Sequence, residues 1–451
     1  MSNIANELLR VIDYISEKAI SRGATEVEAY ATYSKSVEAL AHNNKLHTAS
    51  EVRDLGVGIR VAIGKKVGFS YTNRFDDESL ISAIEKAMEV AKGTPEDRFW
   101  RGFPGGPFTY TTPKDTFSKR IADKSTTDAV NDIKSLLDIA LRDKRITVVY
   151  AASSYTYSIV AIGNSNGVRG IDEGTATSVG LEVVANEAGY TTPSVFEMCS
   201  RRVEECSIDN VVSRAVDKAL KALKPIKIEP RTYDVILEPE ALSSLFTYTV
   251  MPALRGDNVI RGKSPLKGRE GEQVTSKLLT IVDDGLVPGG MATSKFDGEG
   301  VPKRRTELIV RGVLKGFIYD TYWGRRAEKP STGNAVRASY NTQPSVGFSN
   351  FMVTPGTESI DSYINICERA LLINELQGAH SSNPETGEFS VVAVPAWIVR
   401  KGELKAVKGA MIAGNVWRKL KRINFISREV KDIVSLKLPW IGFAGVKVIT
   451  Q

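Results

Sequence analysis

The chain has only three histidines, and they set the first limit on its chemistry. His42 and His47 are five residues apart, the outer spacing of two metal ligands on one helix. No carboxylate follows His42, however, and Asn43-Asn44 signals a turn between strands, so the pair reads as a solvated hairpin. His380 lies in Gln377-Gly-Ala-His-Ser-Ser-Asn-Pro-Glu-Thr-Gly-Glu-Phe389, a polar, glycine-rich loop ahead of a strand, and such loops carry functional side chains more often than core positions do. It offers His380, Asn383 and Glu388 for contact with a substrate or partner, or His380 for catalysis. The plainer reading is a turn set by Asn383-Pro384 and Gly387. Asp283-Asp284, Asp297 and Glu299 could serve acid–base chemistry or a hard cation, but they lack calcium-loop spacing and sit beside Gly285, Gly298 and Gly300, which suits turns.

Arg255, Arg261, Lys263, Lys267 and Arg269 form a glycine-rich basic run. It reads as a mobile loop, either a solvated connection or an interface and substrate gate, with Arg255, Arg261 and Lys263 as the contact candidates. No aromatic residues interleave with these cations, which argues against stacking on single-stranded nucleic acid. Neither GxxxxGK[ST] nor GxSxG occurs, so nucleotide binding and serine hydrolysis lack support. Cys199, Cys206 and Cys367 are odd in number, dispersed and without CxxC. They argue against a disulfide framework and a cysteine-rich zinc site, and read as small buried apolar residues.

Composition sets the frame for these residues. A chain of 451 residues, 42% hydrophobic and 25% charged, is long enough for two cores and ordinary for a soluble globular protein. No apolar tract is long enough to cross a membrane, and the start lacks the pattern of a secretory signal, which gives a cytoplasmic expectation. The net charge is +7, and the whole basic excess lies in the second half. That half could attract nucleic acid, an acidic substrate or an acidic subunit, or it could simply be a lysine-rich surface.

Apolar residues from Ile4 to Ala19 recur at helical spacing, with Gly23 as the stop. Residues 25–72 then alternate as antiparallel strands, with Asn43-Asn44 and Gly64-Lys65 at the turns. Helices follow over 76–91, 125–141 and 207–223, separated by a Gly/Pro-rich loop (93–113) and β-rich sequence (147–190). The stretch 224–231, with two prolines, marks a boundary, giving units 1–224 and 225–451. In the second, 233–237 reads as a strand and a helix runs from Pro239 toward Leu254. Short strands are then expected at 278–282, 306–310, 316–322, 389–399, 404–412 and 440–449, a run that suggests a closed or nearly closed β structure.

Four stretches carry a family resemblance. They are Leu55-Gly-Val-Gly-Ile-Arg-Val-Ala-Ile-Gly-Lys-Lys-Val-Gly-Phe-Ser-Tyr-Thr72; Phe296-Asp-Gly-Glu-Gly-Val-Pro302 with Arg305-Thr-Glu-Leu-Ile-Val-Arg-Gly-Val-Leu-Lys-Gly-Phe317; Ser331-Thr-Gly-Asn334; and Gly387-Glu-Phe-Ser390. In this order they resemble the signatures of the TldD/PmbA family. The resemblance implies an α+β protein, with an N-terminal layered α/β domain built on an antiparallel sheet and a C-terminal β-rich, barrel-like domain. It also implies subunits that pair around a chamber and act on unfolded or extended peptide. Catalytic members carry HExxxH on the helix after the first strand of the C-terminal domain, and a cysteine ligand near the C-terminus. Here 235–251 contains no histidine and 436–445 no cysteine. The resemblance is therefore to the non-catalytic TldE/PmbA type: no cofactor in this chain, with zinc and HExxxH supplied by a TldD-type partner. The rival readings are a nucleic-acid-binding or regulatory protein working through the basic half, an independently active hydrolase using His380, and a scaffolding homodimer.

Overall fold

The structure is a computed structural model describing residues 3–450. Helix α1 (Asn3–Ser21) leads into three strands, β1 (Glu26–His42), β2 (Lys45–Ile63) and β3 (Lys66–Thr72), and then helix α2 (Asp77–Gly93). Asp76 caps α2 by accepting a bond from the Ser79 N–H at 3.0 Å. Asn43 and Asn44 both adopt positive φ, the geometry a tight hairpin needs. Helix α3 (Thr126–Ala140), the long strands β4 (Ile146–Asn164) and β5 (Arg169–Glu187), strand β6 (Val195–Arg201) and helix α4 (Ile208–Lys221) complete the first half. Its strands form one antiparallel sheet of seven, in the order β3-β2-β1-β4-β5 with β6 and a two-residue strand beyond.

The two-residue period of β1 and β2 divides their side chains between two environments. Odd-numbered Val27, Ala29, Ala31, Val57, Ile59 and Val61 face Leu8, Ile12, Ile15 and Ile84 of α1 and α2. Farther along, Val37, Ala39 and Ala41 meet Ile133 and Leu136 of α3 and Ala215 of α4. Even-numbered Glu28, Tyr30, Gly56, Gly58 and Arg60 lie on the other face, where the second half of the chain docks. The glycines of Gly56-Val-Gly58 are required by that docking. A Cβ at Gly58 would stand 2.0 Å from the Tyr340 carbonyl, and one at Gly56 would stand 2.3 Å from its ring.

Charge is buried at this junction. Glu28 and Arg60 are cross-strand neighbours joined through two bonds of 2.8 and 2.7 Å. Arg60 also donates to Glu299 at 3.2 Å, and Arg337 donates to Glu28 and, at 2.7 Å, to the Gly298 carbonyl. Burial alone would push the Glu28 carboxyl up, but Arg60 and Arg337 outweigh it and hold it below the usual range. Asp297 and Glu299 are thus buried structural acceptors: Asp297 takes the N–H groups of Glu299, Val301 and Ala335, and Glu299 takes that of Thr321. Asp283 is likewise buried, between Asn334 at 2.6 Å and the Ser349 N–H at 2.8 Å.

The second half is a large mixed sheet of thirteen strands. Its order is not sequential, and its last strand, Leu436–Thr450, pairs with four others. Three sequence expectations shift here. Residues 316–322 are not a strand: Phe317, Ile318 and Tyr319 are all buried, and Asp320 accepts the Trp323 N–H at 2.7 Å to cap a helix, Thr321–Arg326. The expected strands over 389–399 and 404–412 each split in two; the first breaks at Pro395, which has no N–H to give a ladder. The helix from Pro239 toward Leu254 is interrupted at Thr249 and resumes as one turn over Val250–Ala253, because Pro252 cannot donate to the Tyr248 carbonyl and its ring crowds it.

The expectation against disulfides is overturned for two of the three cysteines, and the third, Cys367, is only partly buried. Cys199 and Cys206 form a disulfide that closes the loop between β6 and α4, leaving Cys367 as the free thiol. Odd count and dispersed spacing gave no sign of it, because the turn after β6 brings the two Cα atoms to 5.8 Å.

Three measurements follow from this architecture. Closing a loop of this length restricts the unfolded chain by about 2–3 kcal/mol, so Cys199→Ser, or reductant on the wild type, is expected to lower urea-unfolding stability by that order. Arg60→Ala leaves Glu28 and Glu299 buried with too little compensation and should cost about 3–5 kcal/mol in the same assay. Asp320 is pushed up to about 7 by burial and then by Glu299, and Asp297 and Asp283 are pushed up to about 6, chiefly by burial. The native state therefore binds more protons than the unfolded chain between about pH 4 and 7, and these groups make stability fall as pH rises through that window. Asp320→Asn can still cap the helix, and should flatten this fall when urea midpoints at pH 4.5 and 8 are compared.

Candidate functional site

The helix Pro239–Tyr248, here α5, follows the strand Arg231–Leu237 and carries the candidate site. Proline at its first turn suits the missing N–H, and Ala241, Leu242, Leu245 and Phe246 bury one face. The opposite face presents Glu240, Ser243, Ser244, Thr247 and Tyr248 at the i, i+3, i+4, i+7, i+8 spacing of one helical stripe. A cleft of about 150 Å³ opens along it, lined by Glu240, Ser243, Ser244 and Glu375, with Phe196 and Ile433 as apolar walls. Phe196 comes from β6, so both halves of the chain build this cleft.

Beneath the helix start lies a second buried ionic cluster. Lys218 of α4 donates to Glu197 and Glu238, each at 2.7 Å, and Lys431 donates to Glu197 and Glu240. Asn374 adds a 2.9 Å bond to Glu238. Burial opposes the charge on Glu197, yet the two lysines outweigh it and hold its carboxyl low. Glu240 goes the other way: burial first, then the neighbouring carboxylates Glu197 and Glu238, push its carboxyl up, and its Oε2 is buried without a partner. Burial and Glu182 also raise Glu375.

His380 is exposed at the far end of α5, its ring centroid 6.4 Å from that of Tyr248. Asn383 shapes a turn, its Oδ1 accepting the N–H groups of Glu385 and Thr386 at 2.9 and 3.2 Å. Glu388 accepts from Asn415 at 3.1 Å. Arg255 and Arg261 converge on buried Asp257, at 3.0 and 3.6 Å, and Lys263 approaches Glu385 at 3.6 Å. The basic run and the His380 loop therefore meet, while Asn383 and Glu388 serve their own turn. Contrary to a mobile loop, the basic run is folded onto the core: Leu266 is buried, and Ser264 donates to the Ala253 carbonyl at 2.6 Å. Glu240, Ser243, Ser244 and Glu375 were not singled out from the sequence. The alternation of polar and apolar residues along 239–248 held a signal for the first three, but nothing local pointed to Glu375.

The donor set of this face does not fit zinc. Zinc sites take three or four histidine, cysteine or carboxylate ligands at fixed geometry. The stripe supplies hydroxyls, one carboxyl that burial keeps protonated to higher pH, and a single imidazole at its far end. His42 and His47 lie on the exposed hairpin, rings 5.2 Å apart, and among the described residues no three histidine, cysteine or acidic side chains form a metal cluster. The face can hydrogen-bond an extended chain through its hydroxyls, with apolar contacts from Phe196 and Ile433.

Comparison with known proteins places this geometry. Residues 230–450 match the PmbA/TldA metallopeptidase C-terminal domain, 27–91 its domain 1 and 119–223 its central domain. An uncharacterized protein of Methanocaldococcus jannaschii is 33% identical over 390 residues, 86% of this chain and 88% of its own length. The metalloprotease TldD homolog of Haemophilus influenzae is 25% identical over 94% of this chain and 89% of its own. The crystal structure of TldE from Thermococcus kodakarensis matches with a TM-score of 0.92 at 29% identity, covering 97% of this chain and 99% of that one. On its sequence and its fold, the chain belongs to the PmbA/TldD metallopeptidase family.

Proposed function

We propose that this chain is the non-catalytic, TldE-type subunit of a two-chain zinc peptidase acting on unfolded or extended peptides in the cytoplasm. One observation carries the reading. The helix that follows the first strand of the C-terminal half presents Ser243, Ser244, Thr247 and Tyr248 to solvent, where a metallopeptidase of this family needs imidazoles. A hydrolytic zinc must be gripped by three protein ligands and must activate a water beside a general base. With those ligands missing, the zinc and the water chemistry fall to a TldD-type partner carrying HExxxH. This chain would then form part of the chamber wall, with units meeting near residues 224 and 225. Its α5 stripe, the His380 loop and the Arg255, Arg261 and Lys263 segment are the surfaces offered to peptide or partner. No helix among the described residues is long and apolar enough to cross a membrane.

The test is co-expression with an HExxxH homologue, followed by metal analysis and digestion of a disordered peptide. The pair is expected to co-purify, to hold zinc in proportion to the partner and to cleave. This chain alone is expected to be inert. Cleavage by the isolated chain, abolished by His380→Ala, would instead establish an independent hydrolase.

A further inference from the structure

A larger cavity, of about 450 Å³, lies between the loop near Pro104 and the segment from Val301 to Ser331, away from the α5 stripe. This is within the size range of ligand sites, roughly 300–1,000 Å³. Its lining includes Arg304, Arg325 and Lys329, and no carboxylate. Among the described residues none of these three cations makes an ion pair within 4.0 Å. Arg304 and Lys329 are exposed, but Arg325 is half-buried, and charge at that depth is ordinarily matched by a counter-charge. Lys303 also reaches the cavity, but its ammonium is turned to the Ser349 hydroxyl at 2.7 Å.

Arg325 is fixed in place rather than free to swing out. It donates to the carbonyls of Arg101, at 2.7 Å, of Gly102, and of Phe103, at 3.3 Å. Arg304 is held by the Ser331 carbonyl, and Lys329 is exposed at the rim. Burial lowers Arg325, opposed by Glu299 and Glu26, both outside the cavity lining. Thr321 also lines the cavity. It is 7% exposed, and its hydroxyl is buried with no hydrogen-bond partner in the chain.

Apart from Gly105 and Ser331, the remaining walls, Pro104, Phe108, Val301, Pro302 and Pro330, are apolar. A bare phosphate would satisfy the cations but leave this surface uncovered. A chain end with an apolar residue and a carboxylate matches both.

We propose that this cavity captures the free C-terminal carboxylate of a peptide whose last residue is apolar, with Arg304, Arg325 and Lys329 facing the anion. The assignment rests on the peptide reading given above, but it concerns binding by this chain alone. Cations that meet one carboxylate in a partly dry site set affinity through charge-assisted bonds, and capture of a chain end in this way is insensitive to the sequence farther back.

The experiment is fluorescence anisotropy with the full chain and a fluorescein-labelled disordered peptide ending in Leu-Leu, as the free acid and as the C-terminal amide. The acid should bind about tenfold more tightly than the amide, the order expected for one charge-assisted contact. Lys329→Gln and Arg304→Gln should each remove most of that difference with melting temperature unchanged, since both side chains are exposed. An amide peptide carrying an internal Glu separates the two carboxylate sources; if it binds as well as the acid, chain-end capture is overturned. Equal binding of acid and amide, no binding of either, or a difference that survives both substitutions would overturn it as well. These outcomes are independent of the paired digestion assay, so acid-selective binding without digestion by the pair would fault the subunit reading and leave this one standing.

Discussion

Two glutamates and two arginines, buried together where the halves of the chain meet, constrain the rest of the fold. Glu28 and Arg60 face each other across neighbouring strands, and Glu299 and Arg337 complete the set from more than two hundred residues away. Each ion is taken out of water, so the arrangement is tolerable only if every partner arrives. The strands must keep the register that puts these side chains opposite the helix-covered face, and the Phe296–Pro302 and Arg337–Tyr340 segments must dock closely. The paired glycines at 56 and 58 serve the same requirement by letting the Tyr340 backbone and ring approach the sheet.

The docked halves together produce the cleft over α5. Phe196 reaches it from the first sheet, Ser243 and Ser244 from the helix and Ile433 from the second sheet. Beneath it, Lys218 and Lys431 are shared among Glu197, Glu238 and Glu240, a second case in which charge from one half is neutralised by the other. The exposed stripe of α5 carries hydroxyls where three zinc ligands would be needed to hold a metal. A fold by itself does not fix the chemistry it carries, so the site has to be read from its donors and not from its architecture.

Much of the first half was legible along the chain. Its helices announce themselves by apolar spacing and capping residues, and its strands by alternation with Asn43-Asn44 at the turn, because each of these signals is local. The second half was read less well. Residues 316–322 carry enough apolar residues for a strand, yet Asp320 turns the chain into a helix by capping it. The Cys199–Cys206 bridge was missed because it depends on how a turn folds back, which residue count does not reveal.

The sequence by itself determined the family, the absence of an HExxxH pair and the amphipathic face of every long helix, since these depend on residue identity and short spacing. Tertiary structure decided the rest. It buried the turn that holds Asp297 and Glu299 and made their carboxylates acceptors, brought the His380 loop against the basic run, and gathered Arg304, Arg325 and Lys329 around one cavity with no acid in its lining. Each of these depends on contacts between residues far apart in the chain, and the energy of a buried charge is set by the neighbours that folding gives it.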